Sequence, residues 1–436
     1  MTEVGSSRPR QGGILAPFGR IVLAQAINRF GDGFFTIGIS WLIYSATGSV
    51  LPLGILWGSY MTGAGALQTV AAPLVDRLNR RALTVGLNLI RAAVVATPVA
   101  LAAAHRFSTW ELYPVFVVLG VMGLPYNPAV RAMIPQLVPP EHLLAANARL
   151  QGVMETMYVL GPAVAGVTIA AFGPLTGLGL DAVSFVAAAL LMATLPGLPR
   201  PVPAPSTSYV TAMWHGGRVM WRDALLRRLA LLAVVVQVTD AAFIVLSVPL
   251  VRSVLHGTTR GVGFLEASLS LGVIVGAVAV NQPRRRFLRR VRWPLVLLFC
   301  LATGLIAVVP VLAWALMTQV VAGLADSVFM VEWETHFQSA VDNQDLGRVL
   351  MFHGGFTRAA QALGAFAAAG LALWVGIGGR VLVCGVGGDG DGGCAAPRSA
   401  PRGAVTGAGN PMPSPTALPF AGLMAGAAGD GLAQFA

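Results

Sequence analysis

Lysine is absent from this 436-residue chain, and all 29 of its basic residues are arginine. Charge is scarce, because charged residues make up 11% of the chain, against roughly 25% in soluble domains. The three cysteines, Cys300, Cys384 and Cys394, lack the spacing of a metal site or a disulfide framework. The six histidines show no metal-ligand spacing, and no phosphate-binding loop with a lysine and no Gly-x-Ser-x-Gly sequence occurs. We therefore expect no metal, no cofactor, no enzyme activity and no ATP-driven chemistry.

Long apolar runs, in contrast, dominate the chain. Apolar side chains make up 56% of the residues, and the mean hydropathy is +0.72. A helix needs about 20 such residues to cross a bilayer, and runs of that length predict six spans, a polar connector and five more spans. The predicted spans lie near 21–45, 51–73, 82–104, 111–133, 150–172, 176–196, 229–251, 261–281, 293–310, 311–338 and 350–377. The sequence therefore predicts an all-α integral membrane protein.

Arginine is distributed unevenly between the two sides of these spans. Most arginines in and around the spans fall on one side, and Arg106, Arg252, Arg260 and Arg380 fall opposite. Because basic loops favour the cytoplasm, we predict a cytoplasmic N-terminus, with the first apolar run retained as a helix. The net charge of +11 then reflects membrane topology, and we expect no nucleic-acid partner. The arginine-only, Gly- and Ala-rich composition is typical of a GC-rich bacterial gene, which predicts the bacterial cytoplasmic membrane as the location.

A weak internal repeat divides the chain into two halves. Gly276 lies eight residues before Arg284 just as Ala72 lies eight before Arg80, an offset of 204 residues. Such duplication predicts two six-helix bundles related by pseudo-two-fold symmetry, with the twelfth helix in doubt. The predicted divisions are an N-terminal bundle (1–196), a cytoplasmic linker (197–228), a C-terminal bundle with helices 7–11 (229–377) and a Gly/Ala/Pro-rich tail (378–436).

The tail allows two interpretations. Its longest apolar run, 417–429, is short and rich in glycine, so a twelfth span is absent or degraded. The tail is either a disordered segment or the product of a reading frame that shifted near codon 376. Both hypotheses stay open at the level of the sequence.

One polar turn between two predicted spans, residues 72–81, carries the most specific pattern in the chain. Its sequence APLVDRLNRR resembles the loop between helices 2 and 3 of the major facilitator superfamily of transporters, Gly-x-Leu-Ala-Asp-Arg-x-Gly-Arg-Arg. An ordinary basic cytoplasmic turn is the alternative. The resemblance implies a conformational gate, in which a carboxylate pairs with a helix N-terminus and arginines stay at the lipid headgroups. The gate residues would be Asp76, Arg77, Arg80 and Arg81, while Ala72 and Asn79 replace the two glycines.

Further local patterns follow one another in the order expected for the same superfamily. The segment 28–33, NRFGDG, resembles the Gly-Asp segment of its drug and siderophore exporters. Gly161, Pro162 and Gly166 resemble the antiporter pattern of helix 5, although Met157 stands where the fuller pattern has glycine. The resemblance covers about residues 20–375 and implies the bacterial macrolide-efflux and enterobactin-exporter-like branch.

Charged side chains inside the predicted spans are the candidates for a functional site, since charge within a membrane is costly and is retained mainly for a role. Arg29 and Asp32, at i and i+3, either neutralise each other or form a proton or substrate site. Glu155 and Asp240 lie near mid-span, one in each half, without a basic residue one turn away. Because a carboxylate removed from water can hold a proton near neutral pH, we assign Asp32, Glu155 and Asp240 to proton coupling or cation recognition. Asp181, by contrast, is predicted to cap a helix. Other charged residues in the spans are Arg91, Asp326, Glu332, Glu334 and Arg358.

The resemblance and the charged residues together imply a secondary active transporter. It would export a drug-like, macrolide-like or siderophore-like small molecule by proton antiport with alternating access. Its expected partners are the substrate, protons and the lipid bilayer, and we expect a monomer. Uptake or lipid flipping on the same fold, or a non-transporting remnant of a frameshifted gene, are the alternatives.

Overall fold

The computed structural model describes residues 11–63, 78–197, 209–280, 285–306, 308–341 and 343–374. Within these ranges the regular secondary structure is helical, and no β-strand occurs. Seven of the described helices are long and apolar enough to cross a membrane, judged by length and composition. The prediction of an all-α membrane protein is confirmed.

The described helices fall into two halves. The first half contains α1 (Gln11–Thr47), α2 (51–63), α3 (Arg80–Ala103), α4 (Leu112–Leu137), α5 (Leu143–Phe172) and α6 (Pro174–Ala193). The second half contains α7 (Tyr209–Arg222), α8 (Ala224–Pro249), α9 (Thr259–Val280), α10 (Arg285–Leu305), α11 (Leu312–Ala340) and α12 (Asn343–Trp374). A π-helical turn, Leu250–Val254, extends α8. Every helix except α7 overlaps a span predicted from the sequence.

Side-chain caps and glycine define several helix boundaries. The Asn79 side chain accepts hydrogen bonds from the first backbone N–H groups of α3, at 3.0 and 3.3 Å. Asp223 does the same for α8, at 2.7 and 2.8 Å. Short polar side chains at this position satisfy N–H groups that have no partner inside the helix. Between α5 and α6 the chain turns at Gly173, whose φ of +88° is readily available to glycine alone.

Small residues bring α1 against α5 and α6 in the first half. A Cβ atom on Gly33 would lie 2.7 Å from the carbonyl carbon of Gly161 on α5, so the two backbones touch. A Cβ atom on Gly177 of α6 would lie 3.2 Å from the carbonyl oxygen of Phe34. Close backbone approach of this kind supplies van der Waals contact between helices in lipid, where the hydrophobic effect does not drive them together.

The second half repeats this arrangement. Helix α10 packs on α11 as α3 packs on α4, and α12 packs on α8 as α5 packs on α1. The crossing of α9 and α11 again relies on glycine: a Cβ atom on Gly272 would lie 2.9 Å from the nitrogen of Leu324, and one on Gly276 would lie 2.7 Å from the oxygen of the same residue. The equivalent helix pairs agree with two bundles related by pseudo-two-fold symmetry.

The two halves meet near the end of the bundle where α1, α5 and α8 finish, which we name the Arg252 end. Arg252 donates a hydrogen bond to Ser45 Oγ at 2.7 Å, and its guanidinium lies over the rings of Trp41 and Tyr44 at 5.5 and 5.8 Å. Helix α2 contacts α12 at the same end, because a Cβ atom on Gly58 would lie 2.5 Å from the ring of Phe366. The opposite end, where α3 and α12 begin, is named the Arg80 end.

Helix α7 lies within the predicted linker and packs on the first turns of α12. His215 Nε2 is 3.1 Å from Asp345 Oδ1, and Arg348 donates to the same oxygen at 2.9 Å. A Cβ atom on Gly216 or Gly217 would collide with the Arg348 backbone or the Phe352 ring. The predicted linker therefore contains a helix that is docked onto the second half by a glycine pair and an ionic cluster.

Some sequence predictions fall outside the described residues. Asp76 and Arg77 lie between 64 and 77, and the whole predicted tail, 378–436, follows the last described residue. Three points therefore stay predictions: the gate role of Asp76 and Arg77, the absence or degradation of a twelfth membrane span after α12, and the domain boundaries.

Replacement of Gly272 tests the glycine-mediated crossing of α9 and α11. Gly272→Val should destabilise the protein by about 1–3 kcal/mol, because the new side chain would overlap the α11 backbone. The check is the thermal unfolding midpoint of the detergent-purified protein. Gly179→Val is the matched control, since a Cβ atom at Gly179 has nothing within 4 Å. Equal midpoints for the two variants would contradict a tight α9–α11 contact.

Candidate functional site

A cavity of about 330 Å³ lies between the two halves. Most of its wall comes from the first half, and α8 and α12 contribute Ile244 and Arg358. Polar and charged residues are concentrated in its lining. They include Gln25, Asn28, Arg29, Asp32, Thr36, Tyr60, Arg91, Tyr126, Asn127, Tyr158, Asp181 and Arg358. A mixed polar and aromatic pocket at the interface of two repeats is a typical location for a small-molecule site.

Arg29 and Asp32 form the ion pair that their spacing on α1 allows. Arg29 NH1 is 3.1 Å from Asp32 Oδ2, and the side chains are 25% and 43% exposed, because both reach the cavity. The Arg29 guanidinium also lies over the ring of Tyr158 at 4.1 Å from its centroid. In an ion pair that borders a cavity, either side chain can bind a substrate group in place of the other, and the carboxylate can accept a proton.

A second arginine, Arg91 of α3, faces the same cavity from a nearly buried position. Its guanidinium lies over the rings of Tyr126 and Phe185, at 4.7 and 5.5 Å. Tyr126 is fixed in turn, since its hydroxyl accepts a hydrogen bond from Asn28 Nδ2 at 2.8 Å. Cation–π contacts stabilise a buried guanidinium without neutralising its charge, so Arg91 contributes a positive charge to the cavity wall.

Asp181 corrects a prediction from the sequence. It lies in the middle of α6, whose N-terminal residue is Pro174, so its predicted capping role is wrong. The side chain is 1% exposed, and a Cβ atom on Gly31 would lie 2.6 Å from Asp181 Oδ1. Ser184 Oγ is 3.3 Å from the same oxygen, whereas Oδ2 has no hydrogen-bond partner among the described residues. The predicted span, 176–196, already places Asp181 more than one turn after its start, so the capping role did not follow from the span.

The second half holds a separate group of ionisable side chains, which we name the second-half acid cluster: Asp240, Glu266 and Asp326. They lie on α8, α9 and α11, and Asp240 interacts electrostatically with the other two and with Arg358 of α12. Glu266 was not predicted, although a lone acidic residue within the apolar run 261–281 is the same signal that identified Asp240. The structure thus places Asp240 beside two more carboxylates and one guanidinium.

Glu155 occupies a different position from the other predicted residues. It is partly buried on α5 and accepts a hydrogen bond from Gln151 Nε2 at 2.6 Å. Its charge acts on Arg29, but Glu155 is not among the described residues that line the cavity. Glu155 and Asp240, predicted as equivalent candidates, therefore lie in unlike surroundings.

The helix 5 motif contacts both halves. Gly161 abuts Phe30 of α1, where a Cβ atom would lie 3.1 Å from the carbonyl oxygen. On the side facing α9, a Cβ atom on Gly166 would lie 2.6 Å from the Thr259 oxygen, and Thr259 Oγ1 donates to the Gly166 oxygen at 2.9 Å. The Pro162 oxygen likewise faces Gly263 of α9. The motif therefore forms a direct contact between the halves at the Arg252 end.

Two residues of the predicted gate lie among the described residues at the Arg80 end. Arg80 donates to the carbonyl oxygen of Ala132 on α4 at 2.9 Å, and Arg81 donates to the carbonyl oxygen of Ala193, the last residue of α6. Arg20 donates to Thr194 just beyond it at 2.6 Å. Carbonyl groups at a helix C-terminus lack partners within the helix and attract positive charge. Arg81 thus connects the start of α3 to the end of α6, and Arg80 connects it to a carbonyl group near the end of α4.

The Arg29–Asp32 pair can be tested by a double-mutant cycle. Asp32→Asn should lower stability because it leaves Arg29 without its carboxylate, and Arg29→Gln in the same chain should restore part of the loss. We expect a coupling of about 1 kcal/mol, since both side chains are partly exposed to the cavity. Thermal unfolding of the single and double variants measures it, with the exposed Glu141→Gln as control. Strictly additive effects would show that the pair adds no stability.

Replacement of Gly166 tests the contact between α5 and α9. Gly166→Val should hold the two helices apart and favour conformations in which the Arg252 end is open. The readout is labelling of Val262→Cys, a position that is 2% exposed, by a membrane-impermeant maleimide in an otherwise cysteine-free chain. We expect labelling to increase several-fold, while Gly152→Val on the same helix, where a Cβ atom meets nothing within 4 Å, should not change it. Unchanged labelling in Gly166→Val would contradict this role.

Curated proteins similar to this chain include efflux proteins. The chain is 24% identical over 366 residues to the multidrug efflux pump Tap of Mycobacterium tuberculosis, covering 79% of this chain and 84% of that protein. It is 23% identical over 270 residues to macrolide efflux protein A of Streptococcus pyogenes, covering 61% of this chain. That match spans 66% of the length of the streptococcal protein, slightly less than two thirds.

Solved structures resemble the fold at low sequence identity. A bacterial homologue of the human lysosomal transporter Spinster, in an inward-facing and unoccupied conformation, has a TM-score of 0.66 at 17% identity and covers 82% of both chains. The nucleoside transporter NupG has a TM-score of 0.65 at 11% identity, with 83% of this chain and 97% of that chain covered. Residues 21–386 match the family model described as the Major Facilitator Superfamily. The chain belongs to the major facilitator superfamily of membrane transporters.

Proposed function

We propose that this protein is a secondary active exporter of a small molecule, driven by proton antiport. The observation that carries the proposal is the polar cavity between the halves, in which Arg29, Asp32, Arg91 and Asp181 of one half face Arg358 of the other. A substrate bound there contacts both halves at once. Rocking of the halves about such a site moves it from one side of the membrane to the other.

The contacts between the halves suit this movement. At the Arg252 end they include glycine-mediated van der Waals contacts, the Thr259 to Gly166 hydrogen bond and the Arg252 interactions with α1. Each is weak enough to break in a transport cycle without unfolding a helix. Alternating access requires two arrangements of similar free energy, and interfaces of small residues meet that requirement.

The arginine distribution indicates which end of the protein faces the cytoplasm in this conformation, in which the halves meet at the Arg252 end. If the Arg80 end is cytoplasmic, as the positive-inside rule predicts, the halves meet on the outer side and the cavity is loaded from the cytoplasm. An exporter takes up its substrate in that state. Asp76, Arg77, Arg80 and Arg81 would then act at the cytoplasmic end, where Arg80 and Arg81 already join α3 to α4 and α6.

Two groups of ionisable residues can couple transport to protons. The Arg29–Asp32 pair borders the cavity, and Asp240 of the second-half acid cluster interacts with Arg358, which itself lines the cavity. Neighbouring carboxylates share protons, so their charge state changes as a group. Arg358 transmits that change to the cavity wall, which gives the cluster a physical route to the substrate.

The names of the curated relatives favour export. Both the mycobacterial and the streptococcal protein are efflux proteins by name, and the proposed substrate is accordingly a small drug-like molecule. We propose that the chain acts as a monomer in the bacterial cytoplasmic membrane. Uptake on the same fold is a distinct outcome of the experiment below.

The coupling proposal can be tested in proteoliposomes with an imposed pH step. Asp240→Asn should abolish pH-driven movement of a macrolide such as erythromycin, because the acid cluster loses a titratable group next to Arg358, while exchange without a gradient should persist. Glu155→Gln, assigned the same role from the sequence, is measured alongside, and Glu266→Gln and Asp326→Asn extend the series. The exposed Glu141→Gln is the control.

The outcomes of this experiment separate the alternatives. Gradient-driven transport that persists in both Asp240→Asn and Glu155→Gln would remove these residues from the coupling mechanism. Erythromycin movement with the proton gradient rather than against it would contradict antiport. A growth-inhibition panel in a pump-deficient host, with and without the protein, identifies substrates if the macrolide is not moved.

A further inference from the structure

An apolar groove of about 630 Å³ separates α2 from α12 toward the Arg80 end. Phe352, Phe356 and Leu363 of α12 line one side, Met61 lies across from them on α2, and Trp214 of α7 lies at the groove's start. Leu363 is 68% exposed and Trp214 is 65% exposed. Large apolar side chains are therefore exposed on the protein surface at this groove.

The groove has a closed end and an open end. Toward the Arg252 end, α2 and α12 touch, since a Cβ atom on Gly58 would lie 2.5 Å from the Phe366 ring and one on Gly54 would lie 2.9 Å from the Ala365 oxygen. Past Gly58 the groove lies between Met61 and α12. It extends along α12 from Phe352 to Phe366, a helical rise of about 21 Å.

A second pocket of about 320 Å³ adjoins the open end. Trp214, Gly217, Arg218 and Trp221 of α7 line it together with Phe352, so it shares Trp214 and Phe352 with the groove. Arg218 is exposed. Tryptophan and arginine are the side chains that favour the headgroup layer of a membrane, and one exposed arginine adds about 1 kcal/mol of attraction for an anionic lipid.

The dimensions and polarity of the two pockets match one kind of molecule. One leaflet contributes about half of a hydrocarbon core that is about 30 Å thick, so an acyl chain fits along the groove. The walls are apolar apart from the Thr62 hydroxyl, and water is stabilised in a pocket mainly by several polar partners. The arginine lies at one end, where the groove reaches the amphipathic α7, so a bound molecule needs a negative head and an apolar tail.

We propose that this groove binds one anionic glycerophospholipid, with its phosphate at Arg218 and an acyl chain between α2 and α12. The tail ends at Met61, which also lines the cavity and contacts Arg358 at 3.5 Å through its sulfur atom. The lipid therefore occupies the space that α2 and α12 leave open in this state. Closure of the Arg80 end would require it to leave the groove.

Lipid retention by the purified, delipidated protein tests the proposal without a transport assay. Native mass spectrometry would count bound phosphatidylglycerol and phosphatidylcholine with identical acyl chains. We expect the wild type to retain phosphatidylglycerol about fivefold more, the ratio that corresponds to about 1 kcal/mol. Arg218→Gln should bring the two lipids to equal retention. Arg222→Gln removes the same charge one turn away on α7, outside the pocket, and should leave the preference unchanged.

A second substitution tests the groove itself. Ala359→Trp fills it and should abolish retention of both lipids, whereas Ala367→Trp, an exposed position on the same helix outside the groove, should not. If Ala359→Trp does not fold, Ala359→Leu gives the same comparison with less added volume. Unchanged phosphatidylglycerol retention in Arg218→Gln, or in a folded Ala359 variant, would overturn the proposal. Displacement of phosphatidylglycerol from the wild type by erythromycin would make the groove a substrate entrance instead and would equally overturn the proposal.

Discussion

Close contact between helix backbones is the constraint on which the rest of this structure depends. In lipid, the hydrophobic effect does not drive one helix against another, so association relies on packing. Glycine supplies the close approach at the α1–α5, α9–α11 and α5–α9 crossings. The first two crossings lie within a half and the third lies between halves. Close glycine contacts thus build each bundle and also join the two bundles, and no ion pair connects the bundles within the described ranges.

Charge is placed where this packing leaves space. Four charged side chains of the first half face the cavity between the halves. Arg29 and Asp32 pair with each other, Arg91 lies over aromatic rings, and Asp181 accepts a hydrogen bond from a serine hydroxyl. Charge in a bundle interior is costly unless it is compensated. Partial compensation, as at Asp181, leaves groups that a proton or a substrate can still satisfy. A carrier requires residues of this kind, because polar groups that are already fully paired gain no interaction when a substrate or a proton binds.

The apolar runs predicted most of the fold, since a bilayer needs a fixed length of apolar helix. They did not predict α7, because His215, Arg218 and Arg222 interrupt its apolar residues. This amphipathic helix is stabilised by packing on α12, which the sequence of α7 does not reveal. The predicted span at 176–196 nearly matches α6 and already places Asp181 more than one turn inside the helix, so the capping prediction disagreed with that span as well as with the structure.

The candidate site divides in the same way. The spacing of Arg29 and Asp32 predicted their contact, because one helical turn joins them. The neighbours of Asp240 come from three other helices, and no pattern along a single helix reveals such a group. Gly166 could be identified by its motif, but its contact with Thr259 across the two halves depends on tertiary packing.

The single residue between α7 and α8 has a consequence for how this chain can vary in length. Asp223 caps α8 directly after Arg222 ends α7, so a single extended residue separates the two helices. One residue added beside it would shift α7 by up to about 3.5 Å relative to α8 and move Gly216 and His215 out of register with α12. The junction therefore constrains the length of the chain, even though it lies within a connector that the sequence predicts to be a linker.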